Sequence, residues 1–258
     1  MIKPLVSVHT IVKNEERFIW YALESVLNFV DKLIVFDTGS TDATVKIIRS
    51  IRSHKLLFEE KGEVDRKRLV TLRREQIRRS QSQWLLNLDG DEVYPLTAIE
   101  EMIGLMKTVS NDVVGIVQPF VSLTGDIYHK QREEKGHYQI AGREGHLTLR
   151  GIRLVKGLTV GGEYPLEAYQ QAGKPIQDHV DRLVFSSRSY FHAGGLKRSA
   201  KDCGVLERKR IWDLGQPVTE KLPAVFFRKD KPAFVPDVTK RWSFGFEIMG
   251  NLKRWFRP

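Results

Sequence analysis

Cysteine is nearly missing from this chain: Cys203 stands alone among 258 residues, so no intramolecular disulfide can form and packing must hold the fold. The thiol reads as a structural or bystander group. Long apolar runs are missing as well. No stretch approaches the roughly 18 residues of a membrane span, and the opening Met1-Ile2-Lys3-Pro4-Leu5-Val6-Ser7-Val8 lacks the charged-then-apolar layout of a signal peptide. A cytoplasmic protein is expected, free or peripheral on the inner face of the cell membrane. Acidic residues are outnumbered, 32 against 42 lysines and arginines, which points to anionic partners such as phosphate groups, nucleic acid or anionic lipid. The chain has no internal repeat, no low-complexity tract and no glycine-rich phosphate loop after its first apolar segment.

What is present suffices for a sizeable core. With 41% hydrophobic residues, the length fits one large α/β domain, alone or with a small appendage. Val6, Val8, Thr10, Ile11 and Val12 read as a buried strand. Asn14 can cap the element that follows, and Glu15 and Glu16 suit a first helical turn. Phe18, Ile19, Ala22, Leu23, Val26, Leu27 and Val30 then recur at the helical period, giving a helix with one buried face. Lys32 to Phe36 is a second strand, and Val45, Ile47, Ile48 and Ile51 mark a second helix. Lys55 to Glu59 reads as a strand, Arg66 to Arg79 as a basic helix, Trp84 to Leu88 as a strand and Ala98 to Met106 as a helix. This alternation predicts a mostly parallel sheet with helices on both faces and ligands at the carboxyl ends of the strands.

From about Gly125 the pattern loosens into short strand-like pieces, among them Leu147 to Leu154 and the aromatic Ser189-Tyr190-Phe191-His192. Arg198 to Leu214 looks helical. Prolines at 217, 223, 232 and 236 make 215–238 an irregular connector. The tail from Lys240 to Pro258 mixes tryptophan and phenylalanine with cations, which suits either an anionic membrane interface or packing onto the domain.

The most telling segment is Trp84-Leu85-Leu86-Asn87-Leu88-Asp89-Gly90-Asp91-Glu92, an apolar strand tipped with three acids. Clustered carboxylates repel unless a cation neutralises them, and Mg²⁺ or Mn²⁺ is the hard ion that suits oxygen ligands while keeping water and a substrate phosphate. Asn14-Glu15-Glu16 and Asp37 fall on the same predicted edge. Alone, Asp37 can equally cap a turn.

Together, Val12-Lys13-Asn14-Glu15-Glu16, Ile34-Val35-Phe36-Asp37-Thr38-Gly39-Ser40-Thr41-Asp42 and Leu88-Asp89-Gly90-Asp91-Glu92 resemble the inverting family 2 glycosyltransferases of GT-A fold, over residues 5 to 125. The resemblance implies an enzyme moving a sugar from a nucleoside-diphosphate sugar, with UDP favoured, to a glycan or glycolipid hydroxyl in cell-surface or lipopolysaccharide-type biosynthesis. Nucleic acid is not an expected partner. It implies Asp91 as the direct ligand of Mg²⁺ or Mn²⁺, and Asp89 beside ribose or metal-bound water. Asp37 and the apolar Ile11 would lie near the base, Glu15 near the ribose, and Asn14 and Gly90 along the same donor site. Many relatives carry a second aspartate where this chain has Thr38. Arg73 is placed like an arginine that meets the diphosphate, for which its planar fork is suited. His192, ahead of Ala193-Gly194-Gly195-Leu196-Lys197-Arg198, is placed beside the metal or the departing diphosphate. Glu167 resembles the acceptor-region glutamate that takes the acceptor proton, although Leu166 precedes it where relatives often have histidine; Glu163 is its competitor. The expected organisation is a domain over 1–214, with a donor half at 1–124 and an acceptor half at 125–214, followed by a proline-rich connector and basic tail over 215–258.

The same residues admit rival readings. Asp37-Thr38-Gly39-Ser40 matches an aspartic protease motif, but that chemistry needs a second carboxylate motif, which the chain lacks. A calcium loop counted from Asp89 to Glu100 fails because Val93 and Tyr94 fall where an oxygen ligand and a glycine are needed. A sugar nucleotidyltransferase with a related sheet, a non-catalytic nucleotide-sugar-binding protein and a nucleic-acid protein are the alternatives that the residues leave open.

Overall fold

The computed structural model describes residues 3–200 and 215–241. Its first half alternates as expected: β1 (Val6–Val12), α1 (Ile19–Val26), β2 (Lys32–Asp37), α2 (Thr44–Ser50), β3 (Leu56–Glu60), α3 (Arg66–Arg79), β4 (Trp84–Asn87), the short β5 (Glu92–Val93) and α4 (Leu96–Thr108). The second half is mainly strand: β6 (Gly115–Thr124), β7 (Asp126–Lys130), β8 (Tyr138–Ile140), β9 (Arg143–Gly145), β10 (Leu147–Arg153), β11 (Leu158–Gly161), β12 (Ala168–Gln171), β13 (Lys174–Pro175), β14 (Leu183–Phe185), β15 (Tyr190–Gly195) and β16 (Gln216–Pro217).

Among the described residues the main sheet has eleven strands, running β16-β7-β6-β10-β4-β1-β2-β3, with β14 and β15 pairing β6 and β5 pairing β15. The β3-β2-β1-β4 block is parallel, and β10 then joins antiparallel to both β4 and β6. Helices cover both faces. Val8, Val12, Leu33, Val35, Trp84 and Leu86 pack in one core with α1, α2 and α4, whereas Ile34 and Phe36 on the opposite face meet Leu72 of α3. Strand alternation dictates this division, because successive side chains point to opposite faces.

Two sequence expectations change. Helix α1 is not buried on one face only: Ile19, Trp20, Tyr21, Ala22, Leu23, Ser25 and Val26 are all buried. The cover for its outer side is the proline-rich stretch, irregular as expected yet packed against the domain rather than merely connecting. Phe226 meets the Tyr21 ring edge-on, with centroids 5.6 Å apart. The Tyr21 hydroxyl donates to Pro236 O at 2.8 Å, and Arg228 Nη1 donates to Glu24 Oε2 at 2.6 Å. A helix apolar on all sides must be covered on all sides. Second, Asn14 does not cap α1; the helix begins at Ile19, after Phe18, which makes no side-chain cap. The helix expected over Arg198–Leu214 falls mostly outside the described residues, as do Cys203 and the tail from residue 242.

Candidate active site

Because β1, β2 and β4 are parallel, the loops that follow them share one edge of the sheet. Hydrogen bonds staple the first two loops together. Asn14 takes φ 55°, in the left-handed region that asparagine tolerates. Its N–H donates to Ser40 Oγ and its Oδ1 accepts from Thr41 N, both at 2.8 Å. Glu15 N donates to Thr44 Oγ1 at 2.8 Å, and Glu16 Oε2 accepts from Ala43 N at 3.0 Å. Asp37 Oδ1 accepts from Gly39 N and Ser40 N at 3.0 Å, a side-chain-capped turn. Much of both motifs therefore holds loop shape.

A cavity of about 520 Å³ opens over this edge. Ile11, Glu15, Arg73, Asp89, Gly90, Asp91, Glu167 and His192 all line it. Three expected residues do not. Asn14 is committed to the loop staple, and Asp37 is buried beneath the wall, its Oδ2 without a hydrogen-bond partner; its neighbour Thr38 lines the cavity instead. Glu163 is exposed, in a tight turn where its carbonyl accepts from Leu166 N at 2.7 Å.

Asp91 is buried and its Oδ2 lies 3.4 Å from His192 Nε2 and 3.7 Å from Arg198 Nη1. Burial pushes its carboxyl up, but the His192 and Arg198 charges outweigh burial and hold it down to about 2, so the group is ionised. Strand β15 brings His192 there, paired across the ladder with Glu92. Gly194 supplies space for the imidazole, since a Cβ there would sit 2.7 Å from His192 Cε1 and Nε2. Gly90 has a similar cause: a Cβ would come within 3.0 Å of Glu15 Cγ and 3.2 Å of Val12 Cγ2.

The Asp91–His192 spacing bears on metal binding. Two adjacent ligands of an octahedral Mg²⁺-sized ion, each at about 2.1 Å, lie about 3.0 Å apart. The observed 3.4 Å is near that edge length and long for a charge-assisted hydrogen bond. Among the described residues, no three His, Cys, Asp or Glu side chains form a metal-holding group. The donor set thus suits an ion that takes its other ligands from phosphate and water, not an all-protein cage.

Arg73, from the inner side of α3, donates through Nη1 to Asn87 Oδ1 at 2.9 Å, and its Nε lies 3.4 Å from Glu167 Oε1. Glu167 Oε2 is buried without a hydrogen-bond partner. A second cavity of about 380 Å³, bordered by Tyr138, Thr148, Arg150, Tyr169 and Gln177, shares both Arg73 and Glu167 with the first. The rest of the basic helix points elsewhere: Arg66, Lys67 and Arg68 are exposed, Arg74 Nε donates to Val160 O at 2.7 Å, and Arg79 pairs with Glu59 and Glu75.

Sequence reasoning missed Lys13, Tyr164, Arg198 and Arg150. Arg198 Nη1 donates to Glu15 Oε1 at 2.8 Å; its signal was the run of cations after the glycines that follow His192. Arg150 lies mid-strand, where nothing in the sequence marks it.

The model of glycosyl transferase family 2 matches residues 7–159, more than half of the chain. The chain belongs to that family. An uncharacterised glycosyltransferase of Rickettsia typhi is 34% identical over 87 residues, and one of Rickettsia bellii is 37% identical over 87 residues. Each match takes in 34% of this chain and 28% of the Rickettsia protein, so the chain spans well under two thirds of these relatives. Among solved structures, S. aureus TarS 1-349 superposes with a TM-score of 0.50 at 14% identity, over 73% of this chain and 60% of that one. Its complex with UDP-GlcNAc gives 0.51 at 15% identity, over 72% and 58%. These likenesses establish the GT-A fold of the family member described here.

Proposed function

We propose that this family 2 member is a metal-dependent, inverting glycosyltransferase, moving a sugar from a nucleoside-diphosphate sugar to an acceptor hydroxyl. The observation that carries the reading is the joining of two cavities at Glu167 and Arg73, one rimmed by Asp89, Asp91 and His192 and the other by Tyr138, Gln139, Thr148, Tyr169 and Gln177, with Arg150 as a further charged member. The first is the donor cavity, the second the acceptor cavity. Glu167, at their junction, takes the proton of the acceptor hydroxyl as that oxygen attacks the anomeric carbon from the side opposite the diphosphate. Arg73 and Arg198 direct guanidinium groups toward the leaving diphosphate, where fixed charge lowers the barrier most. Asp91 and His192 would hold a divalent cation, whose charge would stabilise the negative charge on the leaving diphosphate.

Residues 1–124 supply most of the donor wall, while Tyr164, Glu167, His192 and Arg198 reach it from the later part of the chain, which supports the proposed donor and acceptor halves. Exposed Tyr138 and Tyr164 line the cavities; such rings suit stacking on a sugar, in keeping with a cell-surface glycan or glycolipid acceptor.

The test is a thermal-shift screen of UDP-, GDP- and dTDP-sugars with and without Mn²⁺, because bound ligand raises apparent stability by mass action. A shift that needs both one nucleotide and the metal is expected. Glu167→Gln should then lower turnover by roughly 10²- to 10⁴-fold while donor affinity holds. Donor binding without any turnover in the wild type would convert the reading to a non-catalytic binder, and a normal rate in Glu167→Gln would remove Glu167 as the base.

A further inference from the structure

We infer that Arg150 is a positioning residue of the donor site: it grips the Asp89-Gly90-Asp91 turn from behind and aims the Asp89 carboxylate at the nucleotide. The inference rests on the donor-cavity reading above and adds a residue that touches no substrate in it.

The backbone makes the first argument. Strand β10 pairs Leu149 with Val117 and Gly151 with Ile116 of β6, so Arg150 is an extra residue, a β-bulge. Bulges interrupt the alternation of a strand and re-aim the side chain they carry. Here the side chain turns under the loop that follows the neighbouring strand β4.

The second argument is what the guanidinium meets there. Nε donates to the Tyr190 hydroxyl at 3.0 Å, Nη1 and Nη2 each lie 3.4 Å from Asp89 Oδ2, and Nη2 also donates to Glu92 Oε1. Glu92 in turn closes the turn, its Oε2 accepting from Asp89 N at 3.0 Å and its own N–H donating to Asp89 O at 3.2 Å. Tyr190 is fixed by stacking on Tyr94 at 5.2 Å. One planar fork therefore reaches the side chain of Asp89, the carboxylate that shapes its backbone and a locked phenol. A lysine has no geometry for all three.

The third argument is energetic. Glu92 is wholly buried and Arg150 nearly so, and a buried ion pair gives little or no stability over apolar residues of the same volume. Stability alone would be served by a hydrophobic pair. What the ion pair adds is direction: Asp89 has a side chain 39% exposed toward the donor cavity, with one oxygen tied back to Arg150. Arg150 also borders the acceptor cavity.

The experiment compares wild type, Arg150→Lys and the double variant Glu92→Gln/Arg150→Met. Each is measured for melting temperature and for Kd of UDP, GDP and dTDP with Mn²⁺ by calorimetry. Expected is a wild type that binds at least one nucleotide, and an Arg150→Lys protein that melts normally but binds that nucleotide about 10- to 100-fold more weakly, as for other partners that orient a ligand-holding carboxylate. The double variant should stay equally weak although no wholly buried charge is left unpaired. A normally melting variant that binds within twofold of wild type overturns the role. If Arg150→Lys does not fold, Tyr190→Phe carries the test: loss of one hydrogen bond to the fork should weaken binding about 3- to 10-fold, and unchanged binding overturns the role. A wild type that binds none of the three nucleotides overturns the donor reading and this role together, a result distinct from wild-type binding with indifferent variants.

Discussion

Acid should unfold this protein through His9, well above the range in which carboxylates protonate. His9 lies in β1, wholly buried, with Nε2 at 2.6 Å from Ser80 Oγ. Ser80 Oγ already donates to Gln76 O at 3.0 Å, so it accepts from His9 and Nε2 carries the proton. Nδ1 is then a bare lone pair, buried with no partner. Protonating it would place an N–H and a charge where nothing accepts either. Burial first, and the nearby Arg73 charge second, lower the His9 pKa to about 3. The folded pKa lies below the unfolded one, so stability is complete above about pH 6.5 and is lost as pH falls toward 3. Linkage puts the loss at about 2 kcal/mol by pH 5 and about 5 kcal/mol below pH 3. Set against a typical total of about 5–15 kcal/mol, the first figure is already large. Urea unfolding of wild type and His9→Gln at half-unit steps from pH 7.5 to 5 measures it, because Gln can keep the donor to Ser80 without titrating. Relative to the variant, wild type should lose about 1 kcal/mol per pH unit near pH 5.5. Parallel curves would show that His9 does not carry the acid sensitivity.

Asp91→Asn should abolish donor hydrolysis and transfer even in saturating Mn²⁺, read by release of nucleoside diphosphate; unchanged rates would remove Asp91 as the metal ligand. Phe226→Ala should cost about 3–5 kcal/mol in chemical denaturation, since the ring is buried against Tyr21 on α1. A loss under 1 kcal/mol would show that the 215–241 stretch is not what covers the helix. Deleting residues 242–258, which lie outside the described structure, should abolish sedimentation with anionic liposomes while leaving nucleotide binding intact; unchanged sedimentation favours a tail packed on the domain.

The first half of the fold was legible because it is built from long, periodic elements. Helix α3 runs over the very residues its pattern marked, Arg66–Arg79, and the strands of the parallel block carry continuous apolar runs. The second half was not, for a physical reason. Many of its strands are three or four residues long, too short to show a period, and β14 and β15 find their partner β6 across some seventy residues of chain. Trp20 and Tyr21 fell outside the apolar stripe read for α1 because their cover comes from residues 224–238. Asp89, Asp91 and His192, singled out by their chemistry, do line one cavity. Asn14 and Asp37 instead hold the loops by hydrogen bonds, for which short polar side chains are as well suited as for a ligand contact.

The residues that sequence missed also change the account of the acid-tipped strand. Repulsion among Asp89, Asp91 and Glu92 first suggested that only a bound metal could make the cluster tolerable. The structure supplies protein cations instead: Arg150 for Glu92 and Asp89, and His192 and Arg198 for Asp91, with Arg198 also holding Glu15. All three come from beyond residue 125. The acids are thus balanced before any ion arrives, and an ion held by Asp91 and His192 alone would be bound weakly until phosphate oxygens complete its shell. Chelator-treated protein should therefore melt cooperatively, and Mn²⁺ by itself should raise Tm by no more than about 2 °C, since a weak ligand contributes little by mass action. Adding the cognate nucleoside diphosphate with Mn²⁺ should produce a shift greater than the two separate shifts combined. Unfolding by chelator, or a large shift from Mn²⁺ alone, would mean that the metal is structural and that Arg150, His192 and Arg198 do not balance the cluster.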